Sequence, residues 1–196
     1  MAIPGTITSQ HTRRPKTLKG VWLVLAIALL TTGLVLPQPS STSPEYQVKA
    51  VFLFNFTQFV EWPENAFEDE QAPLVIGVLG DDPFGSYLDE TVQGEKVNGH
   101  PLIVRRFYNA EDAKTCHILF INGAAKEKVK QALIDLKGRS ILTVSDITDF
   151  ARQGGMVRFF NENNKIRIRI NLEAAKAANL TISSKLLRLA DVVGSK

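Results

Sequence analysis

Beyond the N-terminal segment, the side chains suited to soft-metal or nucleophilic chemistry are His100, Cys116 and His117. Cys116 and His117 are adjacent at the start of an apolar, strand-like run, so their side chains point to opposite faces and cannot easily share an ion. No G-x-S-x-G elbow is present, and the thiol has no recognisable paired histidine. The segment GVLGDDPFG (77–85) resembles a phosphate loop only in its glycines, lacking the lysine and the spacing. Asp81, Asp82, Asp146 and Asp149 supply carboxylates for acid–base work, but helix capping accounts for two of them. These residues predict no catalytic set, no metal and no cofactor. His117 is expected to be a core histidine donating to a carbonyl, and Cys116 a buried thiol.

Two constellations remain. Gly80/Asp81, Asn122/Gly123 and Ser145/Asp146 each follow a short apolar run, and in a parallel sheet all would lie at the carboxyl ends of strands, where ligand crevices form. Small polar residues and helix N-termini along that edge would suit a small anion, although each position is equally expected as a turn or cap. The second constellation is Arg158, Phe160, Arg167 and Arg169, which alternate with apolar residues. An aromatic among arginines is a composition favoured at binding hot spots. The competing reading is a solvated strand face, with Arg167 and Arg169 paired to acids such as Glu173.

The elements that must position these groups follow from periodicity. Residues 47–62 are apolar over most of a helical surface, which predicts a buried helix stopped by Pro63. Residues 74–79, 117–121 and 141–144 are short apolar runs, each predicted to be a buried strand leading into a helix. Asp82 and Pro83 are expected to cap and open the first of these helices, residues 124–137 the second, and a short helix near Phe150 the third. A further strand is expected over 102–107 after an Asn98-Gly99 turn. Past Gly154-Gly155 an Asn163-Asn164 turn pairs Glu162 with Lys165, because asparagine tolerates positive φ. That register puts Val157, Phe159, Ile166, Ile168 and Ile170 on one face and the arginines on the other. Helices over 172–178 and 184–193 complete the pattern. The predicted fold is a single α/β domain, with a largely parallel or mixed central sheet, helices on both faces and a C-terminal β-hairpin.

The first 43 residues belong to targeting. Arg13, Arg14, Lys16 and Lys19 precede the apolar run 21–36 and then PQPSSTSP, with no acidic residue throughout. This reads as a signal peptide and linker over 1–43, with an uncleaved membrane anchor as the alternative, and the folded domain over 44–194. The leader takes four of the 23 basic residues, leaving 19 against 20 acidic ones, a net charge of −1. The basic character is therefore a property of the leader, and a nucleic-acid partner is not expected. A single cysteine in an exported chain excludes an internal disulfide.

The ordered set YQVKAVFLFNFTQFVEWP (46–63), LVIGVLGDDPFG (74–85), CHILFI (116–121), ILTVSD (141–146), GGMVRFFNENNKIRIRIN (154–171) and NLTISSKLLRLADVV (179–193) resembles the YfiR-like periplasmic proteins. The resemblance covers nearly everything after Pro44. It implies a non-enzymatic regulator that represses an inner-membrane diguanylate cyclase by binding its periplasmic region, so modulating cyclic-di-GMP signalling. An outer-membrane or envelope partner would relieve the repression. Some members carry disulfides tied to redox control; the lone Cys116 departs from that pattern. A periplasmic small-ligand binder or sensor stays open as the alternative, as does a homodimer.

Overall fold

The computed structural model describes residues 42–123 and 126–194, so the predicted leader and most of the linker lie outside the described residues. Helix α1 (Pro44–Phe59) is followed by the two-residue strand β1 (Val60–Glu61) and then β2 (Leu74–Leu79). Next come α2 (Ser86–Val92), β3 (Lys96–Val97), β4 (His100–Phe107), β5 (Ile118–Ile121), α3 (Lys126–Asp135) and β6 (Leu142–Ser145). The chain continues with β7 (Val157–Glu162), β8 (Lys165–Asn171), α4 (Leu172–Ala177), β9 (Thr181–Ile182), α5 (Ser184–Leu187) and β10 (Ala190–Val193).

Eight strands form one mixed sheet in the order β10-β8-β7-β6-β5-β2-β4-β3, and β1 pairs separately with β9. From β4 to β7 all pairings are parallel; β7 with β8 and β3 with β4 are antiparallel, and β10 runs parallel to β8. All six residues of β2 are buried, as are all four of β5 and of β6. Helices on both faces leave no solvent side to alternate towards. Ile76, Val78, Phe120 and Val144 pack with Leu53 and Phe56 of α1 and Leu88 of α2, while Val75, Leu79 and Leu119 pack with Val129 and Ala132 of α3 and with Leu136 just after it. Gly77 is required by close approach, since a Cβ there would stand 2.5 Å from Cys116 Sγ and 2.7 Å from Leu119 Cδ1.

The hairpin has the predicted register. Glu162 pairs with Lys165 and Phe159 with Ile168, across Asn163 and Asn164 at φ 52° and 58°. Val157, Phe159, Ile168 and Ile170 are buried, and Ile166 packs partly buried against the same core.

Elsewhere tertiary contacts redraw the predicted boundaries. The first helix begins at Pro44 and ends at Phe59, ahead of Pro63, because Val60 and Glu61 leave it to pair with Ile182 and Thr181. That helix is also less enclosed than its composition predicts, with Val48 and Val51 exposed. Asp82 does not cap a helix: its Oδ1 accepts from Phe84 N at 2.7 Å in a turn and its Oδ2 from Arg106 Nε at 2.9 Å, and α2 starts only after Gly85. Around Phe150 the backbone forms turns rather than a helix. The predicted helix over 184–193 is a single turn, capped by Ser183, whose Oγ accepts from Leu186 N. The remainder forms β10, whose alignment on β8 sets Asp191 beside Arg169. Among the described residues, no helix is long and apolar enough to cross a membrane.

Candidate functional site

The arginine constellation lies on the sheet face opposite the hairpin's core residues. Arg158 stands across from Arg169, and Phe160 across from Arg167. The Phe160 ring is flanked by two guanidinium groups, Arg169 Cζ at 5.0 Å from its centroid and Arg158 Cζ at 5.6 Å. The contacts hold both cations over one aromatic surface. Arg169 Nη2 also donates to Asp191 Oδ2 at 3.0 Å, and Arg167 Nε lies 3.8 Å from Glu162 Oε2. Glu173, the acid expected beside these arginines, instead lies 3.5 Å from Lys176. Arg158 Nε is buried without a hydrogen-bond partner among the described residues. An unsatisfied buried N–H carries a desolvation cost of about 1–3 kcal/mol.

The strand-end residues divide into two groups. Leu79, Gly80, Asp81, Ile121 and Asn122 line a cleft of about 410 Å³ with the loop after β4 and the flank of α3. Asn122 Nδ2 donates to Asp81 O at 2.6 Å, bracing the two strand ends. Gly123, Ser145 and Asp146 do not line that cleft. A Cβ on Gly123 would stand 2.4 Å from Ile147 Cγ1, so its smallness serves packing. Ser145 Oγ donates to Ile121 O at 2.7 Å and accepts from Ile147 N at 3.3 Å, which uses the hydroxyl within the fold.

Asp146 belongs to a partly buried polar cluster that single-residue reading missed. Lys49 of α1, 2% exposed, places Nζ 2.6 Å from Asp146 Oδ2 and 2.6 Å from Glu45 Oε1. The ammonium also lies 4.3 Å from the Tyr46 ring centroid, and Tyr46 Oη donates to the same Asp146 oxygen at 3.0 Å. Burial first, and the Asp146 carboxylate second, push the Tyr46 phenol above its ordinary range. The one available signal was a lysine alone among the apolar residues of α1. Arg106 was missed too: it ties β4 to the segment before α2 through Asp82 and the Gly85 carbonyl, and to α2 itself through both oxygens of Asp89. That bidentate contact holds the Asp89 carboxyl below its ordinary range.

At the opposite end of β2, Phe67 is sandwiched between two imidazoles, His100 at 3.9 Å and His117 at 4.4 Å between ring centroids. His117 Nδ1 accepts from Val75 N at 3.1 Å, so the proton sits on Nε2, which donates to Ala66 O at 3.1 Å. This is the carbonyl-donating core histidine expected from the sequence. Burial lowers its pKa to about 4, with the neighbouring His100 charge adding to the effect. The folded state therefore favours neutral His117. Its contribution to stability is complete above the unfolded pKa of about 6.5, falls as the pH drops below that value, and is exhausted below about 4, a loss of up to about 3 kcal/mol. Melting temperatures across this window should fall more steeply for the natural chain than for His117→Gln; equal slopes would refute the assignment. Burial likewise pushes the Cys116 thiol up to about 12, which leaves it protonated and unreactive.

A family model described as YfiR/HmsC-like matches residues 46–191. No curated protein matches the sequence.

Proposed function

The chain belongs to the YfiR/HmsC-like family, a family of periplasmic, non-catalytic regulators of cyclic-di-GMP signalling, and from that premise we propose that it restrains an inner-membrane signalling protein by binding its periplasmic region. The receptor in this reading is a diguanylate cyclase, and the domain holds it inactive by binding that state more tightly than the active one. Differential affinity is essential, because equal affinity for both states would shift nothing. An outer-membrane or envelope partner relieves the restraint by competing for the domain. The chain reaches the periplasm through its 1–43 leader, either cleaved or retained as an anchor.

The observation that carries the partner site is the Arg158–Phe160–Arg169 stack on the outward face of the hairpin. Arginine presents a planar, bidentate donor set, and here an aromatic ring preorganises two such groups. A receptor surface offering carboxylates or backbone carbonyls would complete them. Arg167→Glu and Arg169→Glu, assayed against the periplasmic domain of the cyclase, should each weaken binding about 5- to 100-fold, the range for a hot-spot arginine. Circular dichroism should show the fold retained. Folded variants that bind normally would remove this face from the interface.

A further inference from the structure

The sheet orders its parallel strands so that β2, the first, lies between β4, the second, and β5, the third. Chain connections therefore leave β2 and β5 in opposite directions, opening a crevice at their carboxyl ends, which is where open α/β sheets bind ligands. The cleft of about 410 Å³ sits at this place, within the size range of small-molecule sites. Its floor is apolar, from Leu79, Ile121 and Ala132. Tyr108 stands among the lining residues with 90% of its surface exposed, an aromatic for which the fold supplies no packing.

Among the described residues, the charged groups lining this space are acidic. Asp81 and Asp135 line it, and among the described residues no lysine or arginine does. Glu111 is also present but is ion-paired to Lys114, and among the described residues Asp135 accepts a neutral bond alone, from Gln131 Nε2 at 2.7 Å. A small anion, the ligand that strand-end glycines and helix N-termini would suit, meets repulsion here. An ammonium on an apolar body meets two carboxylates, an aromatic face and an apolar floor. We propose that the cleft between the β2 and β5 ends binds a small organic cation of that kind, with Asp81 and Asp135 as counter-charges and Tyr108 against the cation.

Three nearly isosteric probes separate the contributions: phenethylammonium, 2-phenylethanol and phenylacetate, titrated at constant ionic strength into the isotopically labelled domain while amide shifts are followed. Saturable shifts at Gly80, Tyr108 and Asn122 are expected with phenethylammonium, weaker ones with the alcohol and none with the acid. Asp81→Asn combined with Asp135→Asn should weaken the amine about tenfold, equivalent to about 1.4 kcal/mol. Tyr108→Ala, at an exposed position that should not disturb folding, should weaken it several-fold. Absence of saturation with the amine, equal binding of phenylacetate, or unchanged affinity in these variants would each overturn the proposal. The measurement needs no receptor, so its outcome is independent of the regulatory reading.

Discussion

Asp146→Ala should destabilise the domain by about 3–5 kcal/mol, the cost of leaving a buried ammonium without its main partner. Lys49 is 2% exposed, and the other carboxylate within reach, Glu45, is half in solvent at 49%. Glu45 can therefore offer only a screened interaction in place of the one lost. The reverse deletion should cost less. Lys49→Met fills the same space with an apolar side chain, while Asp146 keeps the Tyr46 hydroxyl and retains 24% exposure to water. Lys49→Met/Asp146→Leu should return close to the natural stability, because a buried pair replaced as a unit leaves no orphaned charge. Denaturant unfolding of the natural chain, Lys49→Met, Asp146→Leu and the double variant closes the cycle. A cost below about 1 kcal/mol for Asp146→Ala would mean that Lys49 reaches water readily and that the ion pair contributes little.

Ile168→Asp should abolish cooperative folding or cost more than about 4 kcal/mol, since it places a carboxylate into the core with no cation to meet it. Ile168 is 2% exposed and pairs with Phe159, itself stacked on Phe56 of α1. The adjacent Arg167→Glu, on a side chain with 46% exposure, should leave the thermal melt close to that of the natural chain. Successive strand residues face opposite sides, so neighbouring substitutions should differ by most of the domain's stability. Melts monitored by circular dichroism test this directly. Comparable loss in both variants would contradict the division of the hairpin into a core face and an outward face.

Local chemistry made several features legible in advance. The six-residue apolar run of β2, the shorter runs of β5 and β6, and the Asn163-Asn164 turn each state their conformation within a few residues, because burial on both faces and tolerance of positive φ are properties of short segments. The alternation of Arg158, Phe160, Arg167 and Arg169 was readable for the same reason, since a two-residue period assigns faces once the turn sets the register.

What the amino-acid order alone determined was thus the fold class, the hairpin register and the family. Tertiary structure decided where α1 stops, because its end depends on the pairing of Val60 with Ile182, more than a hundred residues away in sequence. It also turned the chain's last segment into an edge strand, through the alignment of Ala190–Val193 on β8. It separated Asp146 from Asp81 and Asn122, although all three follow parallel strands, by bringing Lys49 and Tyr46 across to the carboxylate. It also brought the flank of α3 and the loop after β4 to the ends of β2 and β5, which places Asp81 and Asp135 around one cleft. Each outcome depends on which distant groups meet, and a periodicity read along one segment carries no information about the charge or hydrogen-bonding capacity of the segment that comes to lie against it.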